Sequence, residues 1–421
     1  MSFLRKINVG FLAKAFICFS CFEELLKGVR FGVSSIKYLL LLSLIFFYVI
    51  SKDHRVKKEP VVYFIPFYFY FSICFFFDFS SMSGDSIAFI GKILLLPIWA
   101  LLLNKFDSFW ENGISLCRVI AHTMVVYAVV NPLLYFLHLP IWNDSFHTYW
   151  GRISVGYPTV DAILVAFALI CVFFYPGLNF SRRRRVVYAT ILCLNIAIMA
   201  SGSGMVYLTL IFSVALFRRK KISEKLPIIV SLGILIFMAG SVVTFLAVQN
   251  PELTENLLAQ VENRVDIILK GQSEGALSNV NTIDTRKYEF DFAKRLYLDG
   301  HPEREIFGAG FVPMTRNSAK GAQVFIESQY HFNQFCLGYV GFALYILFLV
   351  LFQFKIFYWF WKKNSDLFWM YTLVNVVFSL GASMSIVLLA WGIVVVYVFF
   401  VHSAYVDHLK IVYAIKDADE K

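Results

Sequence analysis

Apolar runs of roughly 18 to 22 residues recur along the chain between short polar stretches, and a helix needs about 20 such residues to cross a ~30 Å hydrocarbon core. The runs predict spans at 8–24, 34–51, 60–78, 87–104, 115–137, 157–176, 186–201, 204–217, 226–247, 329–354, 367–384 and 386–406. The expected fold is an all-α polytopic integral membrane protein, a single transmembrane helical bundle over residues 1–421 with about twelve transmembrane helices. Lys14 interrupts the first span, and Glu23 and Glu24 flank it. It lacks a compact apolar core followed by small residues, so it reads as a retained helix rather than a cleaved signal peptide. Asn131-Pro132 and Pro97 predict kinks. Lys92, Arg118, His122 and Asp161 are expensive in hydrocarbon and are expected to face the protein interior.

One polar interval, residues 248–328, is far longer than the others and predicts a large, partly helical loop. From Pro251 to Leu269, Leu253, Leu257, Val261, Val265 and Ile268 recur at helical spacing with acids in the first turn. Gly, Ser and Asn break the pattern at 271–280. It resumes over 285–298, where Tyr288, Phe292 and Leu296 or Arg295 fall on one face. Gly308 and Gly310 predict a turn, and Glu327 and His331 stand at the mouth of the next span.

Charge sets the orientation. Arg5 and Lys6, the run 52–58, Arg182 to Arg185, Arg218 to Lys221 and Lys362-Lys363 share one side of a twelve-span chain, so the positive-inside rule makes both termini cytoplasmic and the long loop exported. That loop holds nine Lys and Arg against twelve Asp and Glu, so the chain's net charge of +10 resides in the cytoplasmic loops. A short basic cluster in every second loop is a topology signal, and no nucleic acid partner is expected. None of the seven cysteines lies in the exported loop, which argues against a disulfide framework. Cys18 and Cys21 have CxxC spacing in a lipid-like context with no second ligand pair, so buried thiols are expected there. The exported side offers neither an Asp-x-Asp pair nor a His cluster, and the expected set of metals and cofactors is none.

The order of several short segments resembles the O-antigen polymerase and O-antigen ligase superfamily. They are Gly151-Arg152-Ile153-Ser154-Val155-Gly156-Tyr157-Pro158-Thr159 before a span, Ala200-Ser201-Gly202-Ser203-Gly204 between two spans, and Asp284-Thr285-Arg286-Lys287-Tyr288-Glu289-Phe290 in the long loop. Ile306-Phe307-Gly308-Ala309-Gly310-Phe311, Glu327-Ser328-Gln329-Tyr330 and Gly338-Tyr339-Val340-Gly341-Phe342 follow, so the resemblance covers roughly residues 145 to 345. Two positions depart from the pattern. Gly204 stands where the family often has an arginine, and Glu327 stands where ligases usually have a histidine, which favours the polymerase type.

The resemblance implies a membrane glycosyltransferase of lipopolysaccharide and surface polysaccharide biosynthesis in the bacterial inner (plasma) membrane. It would be metal-independent and would use a polyprenyl-diphosphate-linked oligosaccharide, with undecaprenyl diphosphate as carrier. Membrane lipid and a chain-length regulator membrane protein are the further expected partners. In such a reaction a sugar hydroxyl attacks the anomeric carbon and the lipid diphosphate leaves, so cations are needed near the diphosphate and a carboxylate near the hydroxyl. Arg152 and Arg286 are the implied diphosphate ligands, because a guanidinium binds phosphate oxygens in pairs. The alternatives are an ion pair of Arg286 with Asp284 or Glu289, and an Arg152 that snorkels to the interface. Glu327 is the candidate base, or else a helix cap. Arg304, Arg316, Tyr330 and His331 are candidate substrate-binding residues. Two other functions stay open: a ligase working on the same donor, and a lipid-linked oligosaccharide flippase, against which the absence of matching broken spans in two halves argues.

Overall fold

The computed structural model describes residues 9–23, 25, 36–50, 62–82, 84–94, 113–137, 155, 157–175, 178–199, 202–218, 233, 282–314 and 326–419. Within them the regular elements are all helical. In chain order they are α1 (Val9–Cys21), α2 (Ile36–Ile50), α3 (Ile65–Asp78), α4 (Gly84–Gly91), α5 (Gly113–Leu137), α6 (Pro158–Phe174) and α7 (Arg182–Ile198). They continue as α8 (Gly202–Arg218), α9 (Thr282–Tyr297), α10 (Pro302–Phe307), α11 (Gln329–Phe360), α12 (Ser365–Met384) and α13 (Trp391–Asp419).

Most predicted spans coincide with one of these helices, but the count of twelve is not reproduced. Among the described residues four helices are long and apolar enough to cross a membrane: Cys117–Tyr135, Gln329–Phe360, Ser365–Met384 and Trp391–Ala414. Three shorter apolar helices, Ile65–Ser81, Pro158–Phe174 and Ser203–Arg218, fall below that length. The run predicted at 87–104 is helical only to Gly91 and then tightens into a 3₁₀ turn over Lys92–Leu94, while the span predicted at 226–247 lies outside the described residues apart from Gly233. The helix predicted over 251–269 also lies outside them.

The chain divides into two compact units. The first comprises Met1–Ile50 and Ser108–Gly275, the second Ser51–Asp107 and Ala276–Lys421. In the first unit α6 is the central helix, with every residue from Val160 to Val172 buried, as befits a helix that is apolar all round. Helices α5, α7 and α8 pack against it, and α1 packs on α2 and α5. Asn131, next to Pro132 inside α5, accepts from the Val155 amide at 2.8 Å, and Asn195 of α7 donates to the Ala128 carbonyl of α5 at 3.1 Å. Asp161 is fully buried as expected, whereas Arg118, in the second turn of α5, is exposed.

The second unit is built on α11, α12 and α13, with α3 laid against α11. Asn364 opens α12 by accepting from the Asp366 and Leu367 amides, both at 3.1 Å. The run predicted as one continuous span at 329–354 is bent within α11. Gly338 adopts φ 67°, ψ −169°, a region that essentially only glycine occupies. A straight helix separates residues 12 and 15 apart by about 18 and 22 Å along its axis. The Tyr330 ring instead lies 6.2 Å from Phe342 and 5.8 Å from Tyr345, so residues 329–337 form a half-helix folded against the remainder of α11.

A bend of this kind takes carbonyls away from their helical donors. The turn after α10 supplies replacements: Ala309 donates to the Phe335 carbonyl at 2.8 Å and Gly310 to that of Cys336 at 3.2 Å. Gly308, at φ 103°, packs directly on the Cys336 and Leu337 backbone, and Gly338 on that of Ile306 and Gly308. A side chain at either glycine would occupy the other segment's backbone. The far side of the turn rests on α3, where Asp78 accepts from the Phe311 and Val312 amides and Tyr70 donates to the Phe307 carbonyl at 2.9 Å. The buried Phe311 ring fits between Phe71 at 5.1 Å and Phe332 at 6.1 Å. Replacing Asp78 by Ala strands two amides and is expected to lower stability by about 1–3 kcal/mol. The melting temperature of the detergent-purified variant checks this, and an unchanged value would show that the anchor is dispensable.

Candidate active site

The segment Ile326-Glu327-Ser328 leads into the half-helix of α11. Ile326 is buried, and Ser328 stands in the extended N-cap position without capping its own helix. Its hydroxyl donates instead to the Ala382 carbonyl of α12 at 3.3 Å. Gln329 ties the next residue to the chain after α12, its amide donating to the Ser385 carbonyl and its side-chain oxygen accepting from the Leu388 amide, both at 3.2 Å. The Gln329 Nε2 donates to Asn333 Oδ1 at 2.8 Å, and the Tyr330 hydroxyl donates to the Ser379 carbonyl at 2.9 Å. The start of the half-helix is therefore held on one flank by α12.

Its other flank meets α9. The Glu327 amide donates to Glu289 Oε2 at 3.3 Å, and the His331 imidazole stacks on Phe290 at 4.7 Å with 17° between the rings. Further along, Tyr297 meets Phe335 edge-on at 5.9 Å, and Ala293 is fully buried. The stripe of α9 that packs on the protein is thus Glu289, Phe290, Ala293 and Tyr297. The stripe singled out by periodicity faces outward instead, with Tyr288 69% and Phe292 43% exposed.

Of the predicted site residues, the fold brings Glu327 and His331 together with α9. Arg286 is a residue of α9 one turn before Glu289 and Phe290. Arg304, on the exposed α10, donates to the Tyr297 carbonyl at 3.3 Å and so serves the C-terminal end of α9. Around it Lys294 and Glu305 form an ion pair at 3.7 Å, and His301 Nδ1 lies 3.3 Å from Glu303 Oε1. Both contacts are solvent-accessible and contribute little. Tyr330 lies between α11 and α12. Arg152 and Arg316 are outside the described residues.

Sequence reasoning misses two contributors, Glu289 and Asp78. On the sequence alone Glu289 reads as an ion-pair partner of Arg286 on its own helix. Asp78 was legible as a lone carboxylate closing a Phe-rich run, a costly placement that calls for a partner. The assembled group has a glutamate backbone amide donating to the side-chain carboxylate of a second glutamate, an imidazole held by an aromatic face, and an arginine-bearing helix beside them. Carboxylate and imidazole are the groups that take up protons from hydroxyls near neutral pH. No family model matches this chain, and no curated protein matches it.

Proposed function

We propose that this protein is a glycosyltransferase of the O-antigen polymerase type, which moves a growing glycan from a polyprenyl diphosphate carrier onto the next lipid-linked repeat unit at the exported membrane face. The observation that carries the reading is the meeting of Glu327 and His331 with Glu289 and Phe290 at the start of an apolar helix; Glu327, Glu289 and Phe290 lie in segments that carry the resemblance, and His331 directly follows one of them. The acceptor hydroxyl attacks the anomeric carbon of the donor, its proton passes to the Glu327 carboxylate, and the bond from that carbon to the phosphate oxygen breaks. The diphosphate leaves as an anion, with Arg286 as its counter-charge.

The same proposal includes the twelve-span arrangement in a bacterial inner membrane with cytoplasmic termini and the segment 248–328 outside. Cysteines placed singly at Asn279 and Arg316 are expected to react with an impermeant maleimide in intact spheroplasts. Those at Arg184 and Lys220 should react only after permeabilisation. Labelling of Asn279 from the cytoplasmic side alone would sink the enzyme reading, because the donor headgroup would then face the opposite surface. The activity itself is tested by supplying purified protein in nanodiscs with a lipid-linked repeat unit. A ladder of products supports the polymerase, whereas transfer of preformed chains to a lipid acceptor without lengthening would identify a ligase.

A further inference from the structure

We infer that Tyr330 is a positioning residue that sets the half-helix bearing His331, with Glu327 just before its first turn, against α12, rather than a group that touches substrate. The inference rests on the function proposed above for its kinetic consequence, but its structural part stands alone. The Tyr330 hydroxyl donates to the Ser379 carbonyl at 2.9 Å, and its ring is clasped by Phe342 and Tyr345. Ser379 is in turn part of a half-buried polar seam along one stripe of α12, and its hydroxyl donates to the Asn375 carbonyl at 2.8 Å. Asn375 joins three helices. It accepts from the Tyr397 hydroxyl of α13 at 2.8 Å and donates to the Leu349 carbonyl and to Gln353 Oε1 of α11, both at 3.2 Å. Gln353 closes the seam by donating to Thr372 at 3.0 Å.

The seam fixes the long part of α11 to α12 and α13, and Tyr330 extends the same attachment to the half-helix across the bend at Gly338. A bend at glycine leaves the half-helix with only its side attachments to define its angle. On the α12 flank these are Ser328, Gln329 and Tyr330. Tyr330 is the one whose side chain reaches deepest along α12, to Ser379, and it lies between Glu327 and His331 in sequence. Its hydroxyl therefore acts on the reaction through the placement of its neighbours.

Tyr330→Phe removes the hydroxyl and keeps the ring. Hydrogen–deuterium exchange over residues 326–337 is expected to accelerate in this variant while exchange over 345–356 stays as in the wild type. Unchanged exchange at 326–337 would overturn the inference whatever the enzyme does. In the polymerisation assay kcat is expected to fall between about tenfold and a hundredfold with KM nearly unchanged, the effect of a misplaced catalytic group. In a Glu327→Gln background the same change should have little further effect, since the group being positioned is already gone. A raised KM, or a full loss that persists in the Glu327→Gln background, would make Tyr330 a substrate ligand instead. A wild-type protein that fails to polymerise, with the exchange result as expected, would remove the proposed function and leave the positioning intact.

Discussion

Gly308→Ala is expected to destabilise the protein by more than about 4 kcal/mol, a loss that few single substitutions cause. Three separate effects meet at this residue. Its backbone, at φ 103° and ψ 159°, lies in a region that costs a non-glycine residue about 1–3 kcal/mol. A Cβ there would fall on the Cys336 carbonyl and within 2.7 Å of the Leu337 Cα, and backbone cannot step aside as a flexible side chain does. Moving the turn outward to make room would break the Ala309 and Gly310 hydrogen bonds to the Phe335 and Cys336 carbonyls, each with a net value of about 1 kcal/mol. Gly338→Ala meets the reciprocal clash with Ile306 and Gly308 and should behave alike. Gly300→Ala is the matched control, since it also has positive φ, at 82°, but a methyl group there meets open space. It should lose only the conformational component of about 1–2 kcal/mol. Fluorescence-detected size exclusion after a temperature ramp separates the three variants. If Gly308→Ala melts alongside Gly300→Ala, the turn is not docked in the bend of α11.

That docking shows where sequence reasoning stops. Hydropathy over 329–354 runs through Gly338 without interruption, because an averaged apolar signal carries no information about φ. The glycines on both sides were visible as motifs, but that Ile306–Phe311 and Phe335–Gly338 meet is a tertiary fact, set by which carbonyls the bend releases. Periodicity similarly revealed α9 and its register, yet α9 carries two candidate stripes. The more apolar one, Tyr288, Phe292 and Leu296, points outward, because Glu289 reaches the Glu327 amide and Phe290 the His331 ring. Single residues whose environment follows from local chemistry fared better. Asp161 is expected in the interior and is buried, and Glu327 stands at the start of α11, where the polar segment ends.

Glu327→Gln is expected to lower the polymerisation rate by roughly 10²–10⁴, the range for loss of a general base, while leaving the fold in place. The structure sharpens the contrast with a capping role. Ser328, not Glu327, occupies the N-cap of α11, and the contact that joins this segment to α9 runs through the Glu327 backbone amide to Glu289. Gln keeps that amide, its own size and one acceptor oxygen, so a residue that merely complements the helix dipole would lose at most about 1 kcal/mol of stability and leave product length unchanged. Glu327→Asp keeps the charge but shortens the reach by one methylene, so its rate should fall between those of Gln and the wild type. Glu289→Gln should also lie between them, because a neutral acceptor still holds the Glu327 amide, only more weakly. The assay uses purified variants in nanodiscs with a lipid-linked repeat unit, chelator present, and donor binding measured separately. Full activity of Glu327→Gln would exclude it as the base and direct the same test to His331, whose stacking on Phe290 holds it beside the same segment.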